Sequence, residues 1–344
     1  MDSFYHGAQG LSTADIFRGR VANRRRMCYN IGNSRRILPP DVYRTNQQEA
    51  FMMKQISVGT CVQGPLFTQW VPGLIDKGFE CFTVNFHMSL DGVVLSELAP
   101  QVRSLLDGTG IKISSLGFYC NALMYEEHEK QLHECIDMAE AFGTKTVSTF
   151  AGALKGESVE AAMPKFKEVF GRLARHAEDK GVRIALENCS MGGTWYKNTD
   201  NIGFNPRAWD MMFNEVASDA LGLEWEPTHQ MCQLIDPIAC LRKYVGKVIH
   251  IHGKDANIKH DVIAAQGFMG PDSIVDSRFP GFGDTDWRQI FAILQNAGYE
   301  GCISIEGYHD FLYNGQWEMT GQMHSLNYLT WCRGGSFIPN PWEA

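Results

Sequence analysis

From residue 56 onward, short runs of β-branched, aromatic and aliphatic residues alternate with longer stretches of helical apolar spacing, the pattern of strands followed by amphipathic helices. The runs predict strands near 56–62, 79–86, 111–118, 144–150, 182–187, 220–226, 247–252 and 300–306. The stretches between and after them predict helices near 68–77, 96–107, 126–142, 158–180, 206–216, 236–243, 286–297 and 318–331. Glycine stands at six of the helix-to-strand turns (Gly78, Gly110, Gly143, Gly181, Gly246, Gly298), where a left-handed residue ends a helix without a Cβ penalty. Eight strand-helix pairs predict an α/β fold, a (β/α)8 TIM barrel. A doubly wound sheet would show the same alternation, but Cys61-Val-Gln-Gly-Pro65 after the first strand is not a glycine-rich phosphate turn.

Two connections exceed the usual strand-helix loop: 191–206 after the fifth strand and 256–284 after the seventh. Each is a candidate cover for a site at the strand ends, and the Gly and Pro positions of the second fit a lid or an oligomer contact. Residues 1–54 stand outside the repeat and are read as an N-terminal extension or arm, with 55–344 as the barrel domain. The extension carries Arg24-Arg-Arg26 and Arg35-Arg36 and a net charge of +5, which leaves −13 on the rest of a chain whose total is −8. That balance offers no global attraction to a phosphate backbone or an anionic bilayer, so neither nucleic acid nor membrane is expected as a partner. The arm reads as a solvated or subunit-wrapping extension, and a homo-oligomer or a complex with a second subunit is expected.

Composition changes little: 344 residues with 44% hydrophobic and 20% charged content suffice for a full core. The ten cysteines form no Cys-x-x-Cys pair and several lie in apolar runs, so reduced, buried thiols are expected rather than a disulfide framework or a structural zinc site. Met1-Asp-Ser-Phe-Tyr-His lacks the features of a leader, and no long uncharged apolar window occurs, so a cytoplasmic location is expected.

In a barrel of this kind reactive residues sit where strands end. Four consecutive predicted strands finish in ionisable side chains: Ile184-Ala-Leu-Glu187, Leu223-Glu-Trp-Glu226-Pro-Thr-His229, Val248-Ile-His250-Ile-His252-Gly-Lys254-Asp255 and Ile303-Ser-Ile-Glu306. A carboxylate closing an otherwise apolar strand must be paired, hydrogen-bonded or metal-bound to offset its desolvation. Three of them with one imidazole converge on a single volume with few cations nearby, so Glu187, Glu226, His252 and Glu306 are the candidate ligands of a divalent cation. An oxygen-rich shell suits Mn2+ first, with Mg2+ or Co2+ as alternatives, more than zinc. The first shell is then formally negative, which favours a neutral, oxygen-rich ligand such as a sugar.

Ala185-Leu-Glu-Asn188, Glu226-Pro-Thr-His229, His252-Gly-Lys-Asp255, Pro280-Gly-Phe-Gly-Asp-Thr-Asp-Trp287 and Ser304-Ile-Glu306 resemble, in order, the signatures of the xylose-isomerase-like barrel family, the sugar phosphate isomerase/epimerases. The resemblance runs from residue 56 to about 331 and implies that the positions of Glu187, Glu226, His252 and Glu306 hold metal and that of His229 contacts substrate. One departure is Glu226, where the family pattern has Asp. The stretch Glu187-Asn-Cys-Ser-Met-Gly-Gly-Thr-Trp195 with Trp209 also resembles a branch that includes the metal-binding subunit of bacterial C-glycoside deglycosidases.

The expected activity is a divalent-metal-dependent isomerase or epimerase of a sugar or keto-sugar, working by proton abstraction next to a carbonyl through an enediolate. Glu187, Glu306 and His229 are its candidate catalytic residues, and Lys254, Trp195, Arg278 and His87 its candidate substrate contacts. The alternative is a lyase of the C-glycoside deglycosidase type, which cleaves a 3-keto-glycoside after the same proton abstraction and works with a small partner subunit. His250 shares the inward face of the seventh strand with His252 but lies deeper, as a core histidine or one that supports the ligands.

Overall fold

A computed structural model describes residues 56–307, 309–335 and 340–342; the expected arm, its basic stripe and its boundary with the barrel lie outside them. Ten strands occur among the described residues: β1 (Ser57–Gln63), β2 (Cys81–His87), β3 (Lys112–Tyr119), β4 (Thr146–Thr149), β5 (Arg183–Glu187), β6 (Leu221–Trp225), β7 (Val248–Gly253), β8 (Asp255–Ile258), β9 (Val275–Arg278) and β10 (Cys302–Ile305). Eight of them close into a parallel barrel in the order β1-β10-β7-β6-β5-β4-β3-β2, while β8 and β9 form a separate antiparallel hairpin. The expected (β/α)8 barrel is therefore the fold, with its eighth barrel strand at β10.

The helices are α1 (Phe67–Trp70), α2 (Leu95–Leu106), α3 (Glu126–Phe142), α4 (Val159–Lys180), α5 (Pro206–Glu215), α6 (Pro227–Met231), α7 (Pro237–Tyr244), α8 (His260–Gln266), α9 (Trp287–Asn296) and α10 (Glu318–Arg333). Side-chain caps start four of them: Ser158 before α4, Asn205 before α5, Asp236 before α7 and Asp286 before α9 each accept from backbone N–H groups of the first turn. Gly78, Gly110, Gly143, Gly181 and Gly298 have positive φ as expected. Gly246 is an exception, lying inside a 3-10 turn at Val245–Lys247.

The helix expected at 68–77 is also absent. In its place four-residue α1 is followed by 3-10 turns at Val71–Gly73 and Ile75–Lys77. Pro72 has no N–H to continue an α-helix, and Gly73 adds the conformational cost that a helix interior resists.

The outer layer between strands and helices is apolar, with Trp209, Trp225, Trp287, Phe82, Phe166 and Phe170 fully buried. The barrel interior is different. Where such barrels are usually filled by Val, Ile and Leu, buried Thr83, Ser115, Ser148, Glu224, His250 and Ser304 lie here. Register shifts set this arrangement: one lies between Phe82 and Thr83 against β3, leaving Ser114 as the extra residue, and another between Leu223 and Glu224 brings Glu224 opposite His250.

The second long connection, 256–284, carries the β8-β9 hairpin with α8 between its strands. Its exit is fixed by Phe279, fully buried, whose ring fills the space beside Gly307 and Gly321, where a Cβ at either glycine would overlap it. The first, 191–206, is pinned from below: Asn201 donates to the carbonyls of Glu187 (2.9 Å) and Cys189 (2.7 Å) and accepts from Ala151 and Gly203.

The expectation of uniformly reduced thiols is corrected at one pair. Cys81 of β2 and Cys302 of β10 are disulfide-bonded, and they flank β1 at Gly59, where a Cβ would overlap the Cys81 sulfur and carbonyl. The glycine leaves room for the bridge, and a separation of 221 residues gives no local sequence signal for it. The other seven described cysteines are free.

Candidate metal centre

Period-two alternation aims the site. On β7, His250 and His252 share one face, with Lys254 one residue beyond the strand; on β6, Glu224 stands in the same relation to Glu226, one residue beyond that strand. Glu187 closes β5 and Glu306 follows β10, so four strand ends deliver side chains to one point at the C-terminal mouth. One donor atom from each of Glu187, Glu226, His252 and Glu306 lies within 4.8 Å of the other three, and all four residues are buried. The structure thus brings together the four residues that the sequence singled out as ligands.

The imidazole of His252 is at the centre. Its Nδ1 lies 3.0 Å from Glu187 Oε1, 3.1 Å from Glu306 Oε2 and 3.9 Å from Glu226 Oε2. Its Nε2 points the other way, 3.3 Å from Glu224 Oε1 and 3.2 Å from the Tyr119 hydroxyl. Asn188 clamps the neighbouring strand end, its amide oxygen accepting from Glu226 N (2.7 Å) while its Nδ2 donates to Glu226 O (2.9 Å).

Both side-chain oxygens of Glu226 and Oε2 of Glu306 are buried without a hydrogen bond, although His229 Nε2 stands 3.2 Å from Glu226 Oε2. Carboxylate oxygens left this way incur their full desolvation cost unless a cation takes them up. The donor set, three carboxylates and one imidazole, fits a divalent ion of the Mn2+, Mg2+, Co2+ or Zn2+ kind. Burial opposes charge on His252, but the Glu224 and Glu306 carboxylates outweigh it and hold its pKa well above the ordinary value. Glu306 is held well below the usual carboxylate range, burial being overcome by Lys254 and His252. Burial raises Glu187.

Cations stand closer than the sequence reading assumed. Lys254 is buried, with Nζ 3.3 Å from Glu306 Oε1 and 3.8 Å from Glu226 Oε1. With that ammonium counted, a divalent ion and three carboxylates sum to neutrality rather than to a negative shell. His229, on the first turn of α6, reaches the same group from above Glu226.

The remaining sequence-named residues are placed variously. His87, exposed at the end of β2, faces the mouth against the edge of Phe150. Trp195 donates to Glu160 (2.7 Å) and lies under Arg207, so its indole is engaged with α4 and α5. Arg278 donates to Asp310 (3.1 Å) and Asn257 (3.1 Å) and lies over Phe282 and Phe311, tying β9 to the segment after β10. Sequence reasoning passed over Glu224 and Asp310. Glu224 was detectable from its two-residue offset to Glu226 on a strand buried along its whole length. Asp310, which also accepts from the backbone of Phe279, Leu312 and Tyr313, sits in an irregular segment with no periodicity to mark it.

The profile of the family described as xylose isomerase-like TIM barrel matches residues 74–326. The chain belongs to this family. Inosose dehydratase of Clostridium beijerinckii is 27% identical over 230 residues, which cover 61% of this chain and 73% of that protein. Among solved structures, a xylose isomerase domain protein from Planctomyces limnophilus superposes with a TM-score of 0.63 at 18% identity, covering 81% of this chain and 97% of the other. IolI, solved with a bound zinc atom, superposes with a TM-score of 0.59 at 17% identity over 82% of this chain and all of its own. These likenesses at low identity establish the shared barrel. No helix among the described residues is long and apolar enough to cross a membrane.

Proposed function

We propose that this chain is a divalent-metal-dependent enzyme that removes a proton next to the carbonyl of a sugar, keto-sugar or related cyclic polyol ketone. One observation carries the reading: four buried donors from adjacent strand ends meet within 4.8 Å, with buried carboxylate oxygens that no hydrogen bond satisfies. Glu187, Glu226, His252 and Glu306 would hold the ion. When bound, it would supply Lewis-acid polarisation of the substrate carbonyl.

Glu187 and Glu306, on strand ends separated by β6 and β7, are the proposed proton-transfer groups on either side of the substrate. Two carboxylates in that relation can take a proton from one face of a carbon and return one from the other, which is what epimerisation requires. Lys254 adds a fixed positive charge beside Glu306, and His229 a donor beside Glu226. The loaded site carries no net positive charge to neutralise a phosphate ester, which favours an unphosphorylated substrate. His87, Trp195 and Arg278 are kept as proposed contacts at the rim, Trp195 and Arg278 acting there through the loops they brace. The carboxylate-rich shell favours Mn2+, with Zn2+ retained because the IolI neighbour carries zinc.

A second reading has its own support. The relatives include inosose dehydratases, a name that denotes the loss of water from an inosose. A lyase that expels water or an aglycone after the same proton abstraction would use the same residues, alone or with a small partner subunit.

Solvent deuterium separates the readings. Protein loaded with Mn2+ in deuterated buffer is expected to wash label into the carbon beside the carbonyl of a ketose or inosose, and Glu306→Gln to stop it. Label in recovered epimer supports the isomerase or epimerase; an unsaturated ketone or a released aglycone supports the lyase. No exchange across a panel of ketoses, inososes and keto-glycosides would reject both.

A further inference from the structure

Below the four candidate ligands, a column of polar side chains descends through the barrel. Ser114 Oγ and Ser304 Oγ lie 3.2 and 3.1 Å from His250 Nε2, His250 Nδ1 lies 2.7 Å from Glu224 Oε1, and the same oxygen lies 3.3 Å from His252 Nε2. Glu224 is fully buried. Nothing in the packing of a barrel demands a carboxylate there, and its burial would be costly without the two imidazoles beside it.

We propose that Glu224 is a positioning residue of the metal centre: its Oε1, 3.3 Å from His252 Nε2, holds that edge of the imidazole by charge beside the Tyr119 hydroxyl that hydrogen-bonds the same nitrogen at 3.2 Å, so that Nδ1 faces Glu187, Glu226 and Glu306. This rests on the metal-centre reading above. A ligating histidine whose second nitrogen is held by outer partners, a carboxylate among them, is fixed in ring orientation and becomes a stronger donor. Here the carboxylate is itself oriented from beneath: His250, whose Nε2 accepts from the Ser304 hydroxyl while that of Ser114 donates to the Phe82 carbonyl, donates through Nδ1 to Glu224 Oε1. The arrangement depends on the register shift that sets Glu224 opposite His250 instead of one residue away.

Glu224, His250 and His252 also lie close enough together to be weighed as ligands of a second ion. Their chemistry argues for hydrogen bonding instead. His250 is supplied with a partner at both nitrogens, and a second ion would force His252 to bridge two metals as an imidazolate.

The test uses wild-type protein, Glu224→Gln and Glu224→Leu, each stripped and titrated with Co2+ alone, read by stoichiometry, visible absorption and affinity, with thermal unfolding of the stripped forms alongside. The expected result is one Co2+ per wild-type chain, with affinity lowered about 10–100-fold in Glu224→Leu and a shifted ligand-field spectrum. Glu224→Gln, which keeps an acceptor oxygen of nearly the same shape, is expected to fall between and decides the matter if the leucine variant does not fold. Folded variants that bind Co2+ with wild-type affinity and spectrum would overturn the positioning role, as would two Co2+ per wild-type chain. A wild-type protein that binds no Co2+ would overturn the metal-centre reading along with it.

Discussion

Lys254 and Glu306 form a buried ion pair, Nζ to Oε1 at 3.3 Å, inside the ring of carboxylates that meets His252 Nδ1. The lysine follows β7 on the face that carries His250 and His252, so one strand supplies both an imidazole donor and a fixed cation to the same site. Three carboxylates close together repel one another, and Lys254 offsets part of that repulsion in the protein without a bound ion.

Lys254→Met should therefore destabilise the stripped protein by about 3–5 kcal/mol, the cost of leaving buried charge unpaired. Saturating Mn2+ should close most of the gap, because the ion binds the same carboxylates more tightly once the lysine charge is gone, and the extra binding free energy adds to the stability of the variant. Melting curves of both proteins with and without Mn2+ check this. An equal gap under the two conditions would separate Lys254 from the cation site.

Asp255 lies just past the site and locks the hairpin to α9, accepting from the backbone of Ala256 (2.8 Å) and Thr285 (3.1 Å) and from the Trp287 indole (3.0 Å). Burial raises its carboxyl to about 6, above the roughly 3.9 of an unfolded chain. The native state then takes up the proton first, so the contribution of Asp255 to stability grows as pH falls through 6 and levels off near 4. Between pH 7 and pH 5 the wild type should gain roughly 1 kcal/mol relative to Asp255→Asn, which has no proton to take. Denaturant unfolding of the pair at both pH values measures the difference; a constant offset would contradict the assignment.

Phe279 couples the exit of the hairpin to Glu306 through the space beside Gly307 and Gly321. A Cβ at Gly321 would overlap the Phe279 ring, so Gly321→Ala should cost about 1–3 kcal/mol through overpacking. Phe279→Leu in the same background should recover part of the loss. Unfolding free energies of the single and double variants test the coupling, and additive losses would disprove it.

The barrel was legible because eight apolar runs alternate with helical stretches and because glycine marks the turns between them. The four candidate ligands were legible because a charge that finishes a buried strand needs a partner. What escaped was long-range or local in ways that periodicity does not register. The β8-β9 hairpin is two short polar segments, Asp255–Ile258 and Val275–Arg278, held by pairing with each other. The Cys81–Cys302 bridge depends on both strands flanking Gly59. Glu224 was hidden beside the more prominent Glu226, and only the register shift in β6 and β7 shows which imidazoles it meets. The first predicted helix failed at Val71-Pro72-Gly73, where breakers outweigh apolar spacing.

Metal content is the most direct test of the central claim. Wild-type protein, stripped with chelator, reloaded with Mn2+ and freed of excess ion, should retain one ion per chain by plasma emission, whereas a folded Glu226→Gln/Glu306→Gln double variant should retain none. A wild-type protein that keeps no ion, or a double variant that keeps as much, would contradict a metal centre built on these strand ends.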